Sequence, residues 1–274
     1  MTSSNSEPVV DHLGEVWTSL SLACGHLDDH QWALSTDCPG WSVKDQLSHL
    51  IGVERMLLGE PSPPASVPTA EHVRNPVGQL NEAWVAARRP VPGDEVLAEF
   101  VETTDRRLES LRAMSPEKFD VIGPSPIGQV PYREFMETRV IDSWAHEQDV
   151  RRALGRPGGR NGPGEATSLE RCFGAMSFVV GKRVAPLDGT TVRFDVGGEL
   201  GAQELVRMDG GRASIVTSTS SESPTVALTM DQDTFWRLGF GRVGSDEALS
   251  SGSVMLDGDV ELGHRVLDAM GFMI

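Results

Sequence analysis

The sequence predicts an α+β protein in two domains, an N-terminal four-helix bundle followed by a smaller α+β domain. Three observations carry that prediction. Apolar residues recur at three- and four-residue steps through the first 154 residues. The stretch Gly155 to Gly164 packs five glycines and two prolines into ten residues and can sustain neither a helix nor a central strand. Beyond it the pattern changes to short β-branched runs separated by glycine turns. The expected division is a bundle over 1–154, a linker over 155–167 and an α+β domain over 168–274.

In the first part, Val9 to Leu27 sets Val9, Leu13, Val16, Trp17, Leu20 and Cys24 on one helical face. After Trp41 a second helix opens, with Ser42 as N-cap and Asp45 three positions on, and runs through Leu47, Leu50, Ile51, Met56 and Leu58. A loop with prolines at 61, 63, 64 and 68 follows, then a shorter helix over Gly78 to Arg88. Asp94 to Met114 supplies the third long helix and Tyr132 to Leu154 the fourth, stopped by Gly155 and Pro157. Four long amphipathic helices with a long crossover fit a bundle. In the second part, Leu169 to Arg183 reads as helix. Strands are expected over Thr191–Val196, Glu204–Met208, Ala213–Thr217, Thr225–Met230 and Val254–Leu256, with helices over Asp233–Leu238 and Val260–Met270.

Composition narrows function. Forty acidic residues against 24 basic give a formal charge of -16, a field that repels phosphate backbones and anionic lipid. Nucleic-acid and membrane partners are therefore not expected. No apolar run approaches the roughly 18–20 residues that cross a bilayer, and Met1 to Pro8 lacks the basic-then-apolar layout of a signal peptide. Three cysteines, Cys24, Cys38 and Cys172, form no CxxC pair and suit a reducing cytoplasm. Each reads as core packing, with Cys38 at a turn before Pro39.

GxSxG, HExxH, an EF-hand loop and a dinucleotide fingerprint are all missing. His12, His26, His30, His72 and His264 fall near helix ends, loops or solvated faces and read as surface or capping residues. The fourth bundle helix differs. Its Asp142 and His146 lie four residues apart, on one face, with Asp149 continuing that face and Arg139 preceding it. Such a pair is either a helix-stabilising ion pair or two ligands of a metal whose third ligand comes from elsewhere. His49, inside the second helix among apolar residues, is the candidate third ligand; otherwise it is a hydrogen-bonded core residue. Facing helices of a bundle are where such sites are built.

Thr36-Asp-Cys-Pro-Gly-Trp-Ser-Val-Lys-Asp-Gln-Leu-Ser-His49-Leu and Arg139-Val-Ile-Asp142-Ser-Trp-Ala-His146-Glu-Gln-Asp149-Val-Arg-Arg-Ala-Leu resemble the mycothiol-dependent maleylpyruvate isomerase family, a branch of the DinB-like superfamily. Leu228 to Arg242 and Val254 to Asp259 resemble that family's C-terminal domain, related to sterol-carrier proteins. The resemblance implies a DinB-like bundle holding a divalent metal on His49, Asp142 and His146, with zinc first and nickel, iron or manganese as alternatives. Where the isomerase pattern carries Glu, this chain carries Asp142, one methylene shorter, which draws a metal toward the fourth helix.

The activity implied is metal-dependent use of a low-molecular-weight thiol, mycothiol, ionised on the metal. Attack on a small electrophile would make the protein an S-transferase; reversible addition to a double bond would make it a cis–trans isomerase of the maleylpyruvate type. The residue types leave a third class open, a non-catalytic ligand-binding or regulatory protein. Arg139, Arg151 and Tyr132 are the candidate substrate-binding residues, with solvated helix-end charge as the other role for Arg151. Asp149 either orients a ligand or pairs with Arg152. Trp41 and Trp144 read as core packing. The sequence does not reveal the oligomeric state.

Overall fold

The computed structural model describes residues 7–64, 72–73, 75–216 and 223–273. The polar terminus up to Ser6, the Pro68 end of the proline-rich loop and Thr217 lie outside the described residues. The chain forms two compact units, Met1–Glu165 and Ala166–Ile274.

The first unit is the expected bundle. Its long helices are α1 (Pro8–Ala23), α3 (Val43–Leu57), α5 (Gly93–Arg112) and α7 (Tyr132–Leu154), with short α2 (Asp29–Trp32) and α6 (Pro116–Phe119) and the 13-residue α4 (Pro76–Arg88) between them. Helix α3 starts as its sequence dictates: the Ser42 side chain accepts from the Asp45 amide while the Asp45 carboxylate accepts from the Ser42 amide. Helix α7 ends at Gly155, whose φ of 62° is the left-handed cap that glycine adopts at least cost. Helix α1 packs on α5 and α7, and α3 packs on α4, α5 and α7. Leu13, Leu20, Leu47, Leu50, Phe100 and Val140 are fully buried between them. The α3–α4 approach is tight: a methyl group on Gly52 would lie 2.4 Å from the Trp84 ring.

A two-stranded hairpin, β1 (Ile122–Ser125) and β2 (Gly128–Pro131), precedes α7 and was not expected from the sequence. Its strands are four residues each and carry two prolines, so neither period nor length announces them. The segment expected as a linker over 155–167 is also more ordered than its composition implies. The Trp144 indole donates to the Gly159 carbonyl at 2.8 Å, and Arg160 pairs with the buried Glu165. Helix α8 (Pro163–Phe178) begins inside that segment, with proline at its first position.

Helix α8 runs into a π-helical turn, Val179–Val184, where the sequence suggested continuous α-helix. The second unit is a five-stranded sheet in the order β5-β4-β3-β6-β7. Its strands are β3 (Thr191–Gly197), β4 (Gln203–Asp209), β5 (Arg212–Val216), β6 (Val226–Asp231) and β7 (Val254–Gly258). Strands β3 and β6 pair in parallel; the other neighbours are antiparallel. Buried Val192, Phe194 and Val196 alternate along β3, whereas Val226, Ala227 and Leu228 are buried consecutively in β6. Helices α9 (Gln232–Gly239) and α11 (Val260–Ala269), capped by Asp231 and Asp259, pack on this sheet; α10 (Ser245–Ser250) is a short addition. Among the described residues no helix is long and apolar enough to cross a membrane.

Candidate metal centre

The packing of α3 on α7 brings together the three side chains that the sequence separates by almost a hundred residues. His49 Nε2 lies 3.3 Å from Asp142 Oδ2, and His146 Nε2 lies 3.5 Å from Asp142 Oδ1. The imidazole centroids are 4.7 Å apart, edge to face. The ligand atoms of His49, Asp142 and His146 all fall within 4.8 Å of one another. Neighbouring ligands of a tetrahedral cation with bonds of about 2.0–2.1 Å sit about 3.3–3.4 Å apart. The spacing and the two-nitrogen, one-carboxylate donor set both fit a divalent ion.

Burial sets the charges. His49 is 4% exposed, and its desolvation lowers its pKa against the pull of Asp142, keeping the ring neutral as a ligand must be. Burial also works against the His146 imidazolium, but Asp142 and Asp149 outweigh it and raise its pKa. Asp142 is held well below the usual carboxylate range: desolvation opposes this, and Arg139 with the two imidazoles overcomes it.

Arg139, expected to bind substrate, is held by two carboxylates. Its Nη1 donates to Asp142 Oδ2 at 2.6 Å and its Nε to Glu54 Oε1 at 2.8 Å. The other Glu54 oxygen accepts from Arg107 Nε at 3.1 Å, and Arg107 Nη2 donates to the Tyr132 hydroxyl at 2.5 Å. Glu54 has no exposed surface and Arg107 only 2%. A buried chain of alternating charge thus runs from Tyr132 through Arg107, Glu54 and Arg139 to Asp142. Tyr132, also expected to bind substrate, is half-buried at the end of this chain. Arg151 is likewise occupied elsewhere: its donors reach Glu147, the hydroxyl and carbonyl of Ser19 and the Arg156 carbonyl, tying α7 to α1 and to the glycine loop.

Three neighbours stand closer to the site than their sequence pattern indicates. Trp41, read as core, is half-buried with ring centroids 4.9 Å from His49 and 5.7 Å from His146, and forms a wall of the site. Its indole donates to Glu82 Oε2 at 3.0 Å. His72, read as a surface residue, is half-buried against the same oxygen at 3.1 Å. Cys38, read as core packing, is half-buried and brings its sulfur within 4.8 Å of ligand atoms of His146 and Asp149. Asp149 Oδ2 lies 3.4 Å from His146 Nδ1, and Arg152 Nε lies 3.0 Å from Asp37 Oδ2. His12, His26, His30 and His264 lie outside both groups of potential ligands.

Comparisons with known proteins converge on the same elements. The model of the mycothiol maleylpyruvate isomerase N-terminal domain matches residues 13–151, about half of the chain, and the SCP-2 sterol transfer family matches residues 177–270. Two uncharacterized proteins of Mycobacterium tuberculosis, from strains CDC 1551 / Oshkosh and ATCC 25618 / H37Rv, are each 30% identical over 152 residues. That match spans 54% of this chain and 57% of theirs. The crystal structure of the mycothiol-dependent maleylpyruvate isomerase superposes with a TM-score of 0.53 at 13% identity, covering 94% of this chain and 96% of that one. A histidine-to-alanine mutant of that protein gives the same TM-score at 14% identity. With the N-terminal family model spanning the helices that carry His49, Asp142 and His146, about half of the chain, the chain belongs to the mycothiol maleylpyruvate isomerase family.

Proposed function

We propose that the protein is a metal-dependent S-transferase that uses a low-molecular-weight thiol, mycothiol, against an electrophilic small molecule. The observation that carries this reading is the convergence of His49, Asp142 and His146 from two helices on one point, with three protein ligands in that group among the described residues. Three ligands suit a cation with an open position, whereas a structural site is closed by four. A divalent ion bound there, zinc before nickel, iron or manganese, supplies the positive charge that keeps an incoming thiol ionised at neutral pH.

The chain's own residues do the rest. His49, neutral through burial, offers Nε2 without first losing a proton. Asp142 presents Oδ1 while Arg139 holds Oδ2, which fixes the carboxylate rotamer. Asp149 lies 3.4 Å behind His146 Nδ1, and its charge attracts that edge of the ring. Trp41 covers both imidazoles and excludes water from that side. No protein nucleophile is required, because the reacting sulfur arrives with the cosubstrate.

Transfer to an uncharged electrophile is favoured over isomerisation of a dicarboxylate by the state of the arginines. Arg139 and Arg151, the cations the sequence offers to an anionic substrate, already bond to carboxylates and carbonyls, and the remaining Nη2 of Arg139 is buried. The second reading, cis–trans isomerisation of the maleylpyruvate type, is supported by the family match. Cys24, Cys38 and Cys172 form no disulfide, in keeping with a cytoplasmic enzyme.

The test incubates the metal-loaded protein with mycothiol, or with a second small thiol, and a panel of electrophiles that includes maleylpyruvate. A conjugate heavier by the thiol supports transfer. Conversion without a change in mass overturns transfer in favour of isomerisation, and no turnover with any thiol removes both in favour of ligand binding.

A further inference from the structure

We propose that the chain carries a second cation position beside the first, formed by the Cys38 sulfur, the His146 imidazole and the Asp149 carboxylate, and suited to a thiophilic divalent ion such as zinc or cadmium. It shares His146 with the site proposed above but does not require that site to be filled.

Three observations support it. The ligand atoms of Cys38, His146 and Asp149 lie within 4.8 Å of one another, the same closeness as in the first group. His146 Nδ1, on a side chain 7% exposed, has no hydrogen-bond partner and lies 3.4 Å from Asp149 Oδ2 without the alignment of a hydrogen bond. Its Nε2 faces Asp142, so the two nitrogens of one ring look toward two different carboxylates. Asp149, with no exposed surface, contributes a carboxylate from the interior of the bundle, a donor type that a divalent ion takes.

The turn that carries the sulfur is held in place. The Cys38 amide donates to Thr36 Oγ1 at 3.3 Å, and the Cys38 carbonyl accepts from the Trp41 amide at 3.2 Å. Arg152 Nε fastens the preceding Asp37 at 3.0 Å. Gly40 completes the turn at a φ of 80° that a side chain would resist. Ligand chemistry then selects the ion. One sulfur, one nitrogen and one oxygen suit zinc or cadmium, and reject magnesium and calcium, which take oxygen alone. On binding, the Cys38 thiol gives its proton to solvent and the sulfur binds as thiolate. Its half-exposed position leaves an entry path.

The experiment titrates the metal-free full-length protein with cadmium, following thiolate-to-cadmium charge-transfer absorption together with bound cadmium by equilibrium dialysis. Cys24 and Cys172 have no exposed surface, and burial pushes the Cys24 thiol up to about 12 and the Cys172 thiol up further, so the band reports Cys38. The band is expected in the wild type and in His49→Ala. Cys38→Ser and Cys38→Ala should lose it and bind one cadmium fewer, with unchanged circular dichroism. Asp149→Asn should weaken the band-forming step by about tenfold or more. A wild type that binds only the thiolate-linked cadmium removes the first site and leaves this one standing. No band at saturation, or the same band and stoichiometry in Cys38→Ser, overturns the second site.

Discussion

Replacing Glu54 with Gln tests whether the buried charge chain holds the site. Glu54 is wholly buried and gives one oxygen to Arg139 and the other to Arg107. Gln keeps the shape and one acceptor but removes the charge, leaving two buried guanidiniums that retain only Asp142 as an anion within the chain described above. Breaking a buried pair by removing one partner costs about 3–5 kcal/mol. For a unit of this size each kcal/mol lowers Tm by about 2–4 °C, so a fall of about 6–20 °C is expected. Tryptophan fluorescence during a heat scan of metal-free protein is the assay, because Trp17, Trp32, Trp41, Trp84 and Trp144 all lie in the helical unit. Glu117→Gln, on the exposed surface, is the control and should stay within about 1 °C. A fall of under about 2 °C in Glu54→Gln would refute the charge chain as a structural brace.

The other expectations are smaller. Zinc binding at pH 6.5 should release more than half a proton per ion, as calorimetry in buffers of different ionisation enthalpy reads it, because His146 has a pKa raised above 6.5 while His49 is lowered and Asp142 is already ionised. The same shift fixes a sign: the His146 imidazolium stabilises the metal-free fold below pH 6.5, and that contribution fades as pH rises through its folded pKa. Metal should therefore raise Tm more at pH 8 than at pH 6; an equal rise at both counts against the assignment. Gly52→Ala should destabilise by about 1–3 kcal/mol in urea unfolding, since its methyl group would meet Trp84 at 2.4 Å. Nickel should quench tryptophan emission, and Trp41→Phe should lose most of that quenching, because Trp41 touches both imidazoles.

Much of the first unit is legible in the sequence because local signals and tertiary packing agree there. The Ser42–Asp45 capping box, the Gly155 stop and the shared face of Asp142 and His146 are all short-range features. That His49 joins them is a long-range fact about α3 and α7, and the residues alone left it open. Charged residues on a helix ordinarily read as a solvated face, so Glu54 and Arg107 gave no sign of meeting inside the bundle. Cys38 and Trp41 lie on a turn, where periodicity says nothing about direction; only the pinned geometry of residues 36–42 turns them toward the site. Glycine content announces the loop at 155–162 but not its anchoring, in which the Gly159 and Gly158 carbonyls accept from Trp144 and Gln148. In the second unit each strand was visible, but the parallel β3–β6 pairing depends on a crossover that no local pattern encodes.

The central claim is that His49, Asp142 and His146 hold a cation able to ionise a borrowed thiol. The most direct measurement is the absorption spectrum of cobalt-loaded Cys38→Ser protein during titration with mycothiol, since this variant removes the one half-exposed thiol of the chain. A saturable sulfur-to-cobalt charge-transfer band, lost when His49→Ala or His146→Ala is added, is the predicted result. A featureless titration, or a band that survives both histidine substitutions, would contradict it.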